Sequence, residues 1–201
     1  MKKLLALCLG IVIFSLAVLC LPTAEDKEIY NGMLRLHVLA DSDDEEDQAR
    51  KLAVRDAVLG VLEERMLDCR DLSQAERAVQ EGEEEILSVC RETLLALGCE
   101  DTVTLSLERE FYPTRHYEDI SLPAGRYLSL RVMIGEAKGQ NWWCVLSPPV
   151  CLGACQSTEK LEAAGFSEGQ ISLVKEDKPV RYKIKFKIME GVERLFSGLF
   201  S

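Results

Sequence analysis

Short stretches in which apolar and polar residues alternate recur along the chain, and each of them predicts a β-strand. In residues 33–39, MLRLHVL, every second residue is apolar, while Arg35 and His37 fall on the other face. This period of two is typical of a strand that is buried on one side. The same pattern predicts strands at 102–111, 126–135, 141–147 and 181–188, of which the first three form an antiparallel meander.

Apolar residues spaced three and four apart predict a long helix after the first strand. Ser42 or Asp43 can cap its start, and five acidic residues at 43–47 lie in its first turn. The positive end of the helix macrodipole favours negative charge there. The predicted buried stripe of this helix consists of Ala49, Leu52, Ala53, Leu59, Leu62 and Met66.

A second long helix is predicted from Ser73 to about Gly98. Ser73 and Glu76 have the spacing of a capping box, and a glycine is common just after the end of a helix. The order of elements, a strand, two helices and then three strands, predicts an α+β fold. We expect two helices packed on a mixed, largely antiparallel sheet.

Residues 1–24 predict an export segment. Two lysines precede an uncharged run from Leu4 to Leu21, and a run of this length suits either a cleaved signal peptide or a membrane anchor. Acidic residues follow the run, so the positive-inside tendency places the remainder of the chain outside the cytoplasm. We therefore expect residues 29–201 to form a single exported α+β domain.

The charge of the chain narrows the class of partner. Its 201 residues carry a formal net charge of −10 at pH 7. Binding to nucleic acid depends on a basic surface that releases counterions from the phosphates. The acidic composition therefore argues against a nucleic-acid partner.

Six of the eight cysteines lie outside the export segment, where an oxidising exterior permits disulfides. Cys144, Cys151 and Cys155 are close in sequence and are the candidates for one bridge. Cys90 lies among apolar residues in a helical pattern, which favours a buried free thiol. The spacings lack CxxC pairs, so no zinc site is predicted.

The acidic cluster at 41–47 invites comparison with a calcium-binding EF-hand loop. Such a loop needs glycine at its sixth position and a bidentate glutamate at its twelfth, where this chain has Glu46 and Leu52. Acids of a helix start explain the cluster better. We therefore predict neither a metal ion nor another cofactor.

An extracytoplasmic cysteine hydrolase is the enzymatic alternative. Cys144 would be the nucleophile, with His37 or His116 as its base. A reactive thiolate usually lies at a helix N-terminus or in a positive pocket, whereas Cys144 is predicted inside a strand. A buried or disulfide-bonded cysteine is the better interpretation, and the chain has no other catalytic fingerprint.

Trp142 and Trp143 are adjacent on a predicted strand, so their side chains point to opposite faces. One of them can then remain at the surface, where a tryptophan is a typical anchor for a protein partner. Packing of both rings under loops is the alternative.

A dense basic stretch near the C-terminus includes Lys183, Lys185 and Lys187. Alternate lysines on one face of a strand usually form a solvated edge that prevents aggregation. The functional alternative is contact with a membrane surface.

Two segments carry a resemblance to a known family. They are LHVLADSDDEEDQARKLAVRDAVL at 36–59 and GQNWWCVLSPPVC at 139–151, with FYPTR and LPAGRYLSLRVMIGEAKG between them. Together they closely resemble the stage II sporulation protein R family of endospore-forming bacteria, over about residues 30–155. The chain departs from the family at Asp41, where asparagine is usual, and the region from Cys155 onward matches less well.

The resemblance implies a signalling protein that has no catalytic site of its own. Members of the family are made in the forespore and exported into the space between the forespore and mother-cell membranes. There they activate a membrane-embedded aspartic-type protease, which processes the precursor of the early mother-cell sigma factor. Among the residues that fall on the two family motifs, the candidates for binding this partner are Ser42, Asp43, Asp47, Gln48, Arg55, Asp56, Asn141, Trp142 and Trp143.

Overall fold

A computed structural model describes residues 2–19, 24–117, 120–147, 168, 171 and 180–199. These residues form six helices and six strands. The helices are α1 (Lys2–Leu19), α2 (Ala24–Gly32), α3 (Glu45–Met66), α4 (Leu72–Glu81), α5 (Glu83–Ala96) and α6 (Val180–Leu199). The strands are β1 (Leu34–Leu39), β2 (Val103–Tyr112), β3 (Arg115–Tyr117), β4 (Ile120–Leu122), β5 (Gly125–Ile134) and β6 (Asn141–Ser147).

The chain divides into two compact units. The sheet unit comprises Tyr30–Glu110 and Arg126–Gly165, and the terminal unit comprises Met1–Ile29, Phe111–Gly125 and Phe166–Ser201. Each unit contains residues of the range 29–201. The single exported domain that the sequence predicts over this range stays a prediction.

A four-stranded mixed sheet lies at the centre of the sheet unit, with the strand order β2-β5-β1-β6. Strand β1 is parallel to β5 and antiparallel to β6. The predicted α+β class with helices and a mixed sheet is confirmed. The predicted meander is wrong, because β1 separates β5 from β6.

The central position of β1 agrees with its burial, since all six of its residues are buried. Parallel neighbours need a long crossover connection, and α3, α4, α5 and β2 all lie in the chain between β1 and β5. Both faces of β1 are therefore buried, one by apolar and one by polar neighbours. The alternation of residues 33–39 reflects this difference between the two faces, and not a difference between core and solvent.

The apolar core lies between one face of the sheet and the helices α3, α4 and α5. Sheet residues such as Leu36, Val38 and Leu130 belong to the same buried cluster as Val58 of α3 and Cys90 of α5. Cys90 is a free thiol with no exposed surface, as predicted. Burial raises the pKa of this thiol to about 12, because desolvation penalises the thiolate.

Helix α3 starts later than its sequence predicts, and its predicted stripe is confirmed only in part, at Leu62 and at the partly buried Leu59 and Met66. Its N-cap is Asp44, without a capping hydrogen bond from the side chain, so the predicted caps at Ser42 and Asp43 are wrong. The buried residues of α3 are Lys51, Val54, Val58 and Leu62. Leu52, predicted to be buried, is 38% exposed.

The predicted second helix is in fact two helices, because the helical conformation is interrupted at Gly82 between α4 and α5. The predicted capping box is also wrong. Asp71 is the N-cap of α4 and accepts a hydrogen bond from the backbone N–H of Gln74. Gly98 ends α5 as expected, with a φ of +69° that favours glycine.

The terminal unit contains α6 where the sequence predicts a strand at 181–188, so that prediction is wrong. Glu190 of α6 accepts a 2.8 Å hydrogen bond from the backbone N–H of Thr114. On a helix, residues two apart do not share a face, and Lys185 is only 4% exposed. Contact with a membrane surface through Lys183, Lys185 and Lys187 stays a prediction.

The N-terminal helix α1 of the terminal unit leaves several large apolar side chains exposed, including Leu4, Leu5 and Phe14. Within the described ranges, no helix combines the length and the apolarity that crossing a membrane requires. The role of residues 1–24 as signal peptide or anchor stays a prediction.

Candidate functional site

The two segments that carry the family resemblance meet at one end of the sheet. The loop after β1 lies against the turn that joins β5 to β6. The backbone N–H groups of Lys138 and Gly139 donate to the carbonyl oxygens of Asp41 and Ala40, at 3.0 and 2.9 Å. We call this contact, between residues 40–44 and 135–140, the loop junction.

Acidic side chains of the first segment bind backbone N–H groups of the second. Asp41 Oδ1 accepts from the N–H of Glu136 at 2.5 Å, and Asp43 Oδ1 accepts from the N–H of Gln140 at 2.8 Å. Gly135 has a φ of +56°, and a Cβ atom there would overlap the Asp41 carboxylate. The acids at 41 and 43 therefore join the loop after β1 to the turn between β5 and β6.

No group of side chains suited to a metal ion occurs within the described residues.

Ser42 and Asp47 form a second layer of the junction. The Ser42 hydroxyl donates to Asp47 Oδ2 at 2.5 Å, and Arg50 donates to Asp47 Oδ1 at 2.7 Å. The hydrogen bond from Ser42 and the charge of Arg50 lower the pKa of Asp47 below its usual value, against the opposing effect of burial. Both contacts favour the carboxylate form.

A Ser42→Ala variant is expected to be less stable by about 1 kcal/mol near pH 7, because a hydrogen bond to a partly buried carboxylate is lost. A lowered pKa stabilises the fold above the pKa of the unfolded state, and this contribution fades as the pH falls through the folded pKa. The difference in unfolding free energy between wild type and variant should therefore become smaller at acidic pH. Urea denaturation between pH 7 and pH 3 measures it.

Ser88→Ala is the matched control for Ser42→Ala. Ser88 also donates to an acidic side chain, Glu92, at 2.8 Å, but on an exposed helix surface. Its loss should change stability by less than about 0.5 kcal/mol. A gap for Ser42→Ala that stayed constant down to pH 3 would contradict the assigned role of Asp47.

Lys51 ties α3 to the second segment from a buried position. It is 5% exposed, and its ammonium donates to Gln48 Oε1 at 2.5 Å and to the carbonyl oxygen of Gln140 at 3.0 Å. Gln48 in turn donates to the carbonyl oxygen of Ser42 at 2.8 Å. Burial lowers the pKa of Lys51, as desolvation of a cation does.

Trp142 and Trp143 lie on opposite faces of β6, as predicted. Trp142 is 37% exposed and faces the side of α3, where the Arg55 guanidinium lies 4.4 Å from the centre of its ring. Arg55 also binds Asp56, through Nη2 at 2.6 Å and Nε at 2.7 Å. The motif residues Arg55, Asp56 and Trp142 thus form one continuous surface.

The other face of the sheet carries a polar row centred on His37. The ring nitrogens Nδ1 and Nε2 lie 2.6 Å from Glu110 Oε1 and 2.6 Å from Asn141 Oδ1. Trp143 meets the imidazole edge to face, with ring centres 5.3 Å apart. Arg131 lies 3.6 Å from Glu110 Oε2. His37, 4% exposed, therefore connects β2 to the start of β6.

The geometry contradicts one version of the cysteine-hydrolase alternative. Cys144 is paired with Leu36, and Trp143 with His37, so the side chains of Cys144 and His37 point to opposite faces of the sheet. Cys144 belongs to the apolar core. The other proposed base, His116, lies on β3. Cys151 and Cys155 lie outside the described residues, so a bridge that includes Cys144 stays a prediction.

The structure places all nine motif candidates in the sheet unit. Ser42 and Asp43 lie in the loop junction, Asp47 and Gln48 bind Ser42 from α3, and Arg55, Asp56 and Trp142 form the surface beside it. Asn141 and Trp143 contact His37 on the other face of the sheet. Sequence reasoning missed Lys51 and Glu110, and it considered His37 only as a polar strand residue and as a base for Cys144. Charged residues at positions where a helix or strand should be buried were the available signal.

Comparisons with known proteins agree with the motifs. A family model described as stage II sporulation protein R matches residues 30–157. The stage II sporulation protein R of Bacillus subtilis (strain 168) is 30% identical to the chain, over 96% of this chain and 85% of the relative. No solved structure matches.

Proposed function

The chain belongs to the stage II sporulation protein R family and so has a role in sporulation signalling, and from this premise we propose a specific mechanism. The protein is an exported signal between the two compartments of a sporulating cell. It acts in the space between the forespore and mother-cell membranes. Its partner is a membrane-embedded aspartic-type protease, which it activates to process the precursor of the early mother-cell sigma factor.

The observation that carries this proposal is the meeting of both family motifs at one end of the sheet. Most motif side chains bind other motif residues or backbone groups. The contacts at Asp41, Asp43 and Asp47 show how the acids stabilise the loop junction. An arrangement of this kind holds a shaped surface in place, because its carboxylates are engaged in hydrogen bonds within the protein. Binding to a partner is the chemistry that it supports best.

Activation of the protease requires that binding favours one of its states. A ligand shifts an equilibrium only by the difference between its affinities for the two states. We propose that the protein binds the outer face of the active protease more tightly than that of the inactive form. A tenfold difference in affinity shifts the equilibrium by about 1.4 kcal/mol.

A reconstitution in a bacterium that does not sporulate tests the proposal. The host makes the protease and the sigma-factor precursor, with or without the full chain, and cleavage is followed by immunoblot. We expect cleaved factor only when the chain is present with residues 1–24. Equal cleavage without the chain, or no cleavage with it at matched expression, contradicts the proposal.

A further inference from the structure

We propose that Trp142, Arg55, Asp56 and Leu52 form a docking surface for the outer face of the proposed protease. The region of the protease that binds there has an apolar pocket surrounded by basic residues. This inference rests on the proposed function, because the protease is the occupant to which it commits. The name Trp142 surface is used below for these four residues.

The Trp142 surface combines an aromatic ring, an arginine and an exposed leucine. Trp142 is 37% exposed and Leu52 is 38% exposed. Leu52 lies three and four residues before Arg55 and Asp56 on α3, so the three share one flank of the helix. Tryptophan and arginine at the centre of a contact contribute most to protein binding. The sequence predicted Leu52 as a core residue, and the structure places it here instead.

The side chains of this surface are held before a partner arrives. The Arg55 guanidinium lies 4.4 Å from the centre of the Trp142 ring and binds Asp56 through two nitrogens, at 2.6 and 2.7 Å. Lys51, four residues before Arg55 on α3, joins the helix to Gln140, two residues before Trp142. A contact made by side chains that are already ordered loses less conformational entropy on binding.

The charge around the surface indicates a basic partner. Residues 43–56 contain six acidic and three basic residues, a net charge of −3. Lys51 is buried, whereas Asp43, Asp44, Glu45 and Glu46 are exposed. Asp43 is bound to Gln140, which places this acidic rim beside the start of β6. Electrostatic complementarity then favours lysine or arginine around a slot for the indole.

Affinity between the full chain and the protease in lipid nanodiscs tests the assignment. We expect Trp142→Ala to weaken binding at least tenfold and Arg55→Gln to weaken it several-fold, with Trp142→Phe retaining most of the affinity. Leu67→Ala is the matched control, since Leu67 is 77% exposed at the far end of α3. Thermal unfolding of each variant checks that it is folded. If Trp142→Ala is unfolded, the two single variants Trp142→Phe and Arg55→Gln test the surface in its place.

A charge-reversal pair tests the acidic rim. Glu45→Lys with Glu46→Lys should weaken binding at low salt and reduce its salt dependence, because exposed charges are screened within about 8 Å at 0.15 M salt. Glu83→Lys with Glu84→Lys, at exposed acids in the first turn of α5, makes the same change in net charge elsewhere. This control should bind like wild type.

The outcomes separate the two proposals. Wild-type binding that Trp142→Ala leaves unchanged overturns the docking surface and leaves the proposed function standing. Absence of wild-type binding overturns the proposed function and the docking surface with it. A dimer of the chain that Trp142→Ala dissociates, with protease binding retained, overturns the inference by assigning the surface to a second copy.

Discussion

A Gly139→Ala variant is expected to lose about 3 kcal/mol of unfolding free energy, near the upper end of the usual cost of overpacking. A Cβ atom at this position would overlap the carbonyl oxygen of Ser42 and lie 2.9 Å from the Cβ atom of Ala40. The first obstacle is backbone, so a change of rotamer does not relieve it. The loop junction must open, and the Gly139 N–H bond to Ala40 is lost with it.

Thermal and urea unfolding measure this loss, and Gly60→Ala is the matched control. Gly60 is inside α3, with nothing within 4 Å of its added Cβ atom. Alanine there should stabilise the protein by about 0.5–1 kcal/mol, since glycine is a poor helix former. Equal stability of the two variants would mean that the loop junction is not close-packed in solution.

Replacing His37 with alanine is expected to destabilise the protein by about 3 kcal/mol. Glu110 and Asn141 each lose a hydrogen-bond partner that lies 2.6 Å away in the wild type. The missing imidazole also leaves a cavity, because His37 is only 4% exposed. An unsatisfied buried polar group costs about 1–3 kcal/mol, and the cavity adds to it. For a protein of this size the melting temperature should fall by roughly 10 °C.

Two comparisons make the His37 result specific. Glu108→Gln removes only the exposed pair with Arg131 at 3.1 Å, which should cost less than about 0.5 kcal/mol. In a double-mutant cycle, His37→Ala and Glu110→Ala should couple by at least about 1 kcal/mol. Additive effects of the two changes would show that the imidazole does not bind Glu110.

Local patterns in the sequence were sufficient to locate most elements of the sheet. Strand β6 coincides with the predicted segment 141–147, and β1 begins one residue after its predicted start. The order of the strands was not predictable in this way. Alternation reports which residues share a face, whereas the insertion of β1 between β5 and β6 depends on pairing between distant segments.

The helical errors have a similar cause. The segment 181–188 alternates as a strand does, but its apolar residues also suit a helix in which Lys185 is covered. The cap residues Asp44 and Asp71 were missed because several acids and serines at each start could serve. Capping is decided by the direction in which the chain enters the helix, and that direction is set by tertiary contacts.

The candidate site was only partly predictable for a physical reason. The motifs identified Ser42, Asp47 and Trp142, but their contacts depend on the loop junction, which joins residues almost a hundred positions apart. The sequence pattern presents Lys51 and His37 as ordinary polar positions. Their burial emerges only when both faces of β1 are covered and α3 is docked beside Gln140.

External addition of the protein tests most directly whether it is a signal that acts across a membrane. Cells stripped of their wall, with the protease in the membrane and the sigma-factor precursor inside, receive the exported protein in the medium. We expect the precursor inside to be cleaved within minutes to hours after wild-type protein is added, and far less after addition of Trp142→Ala. No cleavage on external addition, together with full cleavage when the same protein is made inside the cell without residues 1–24, would contradict an extracytoplasmic signal.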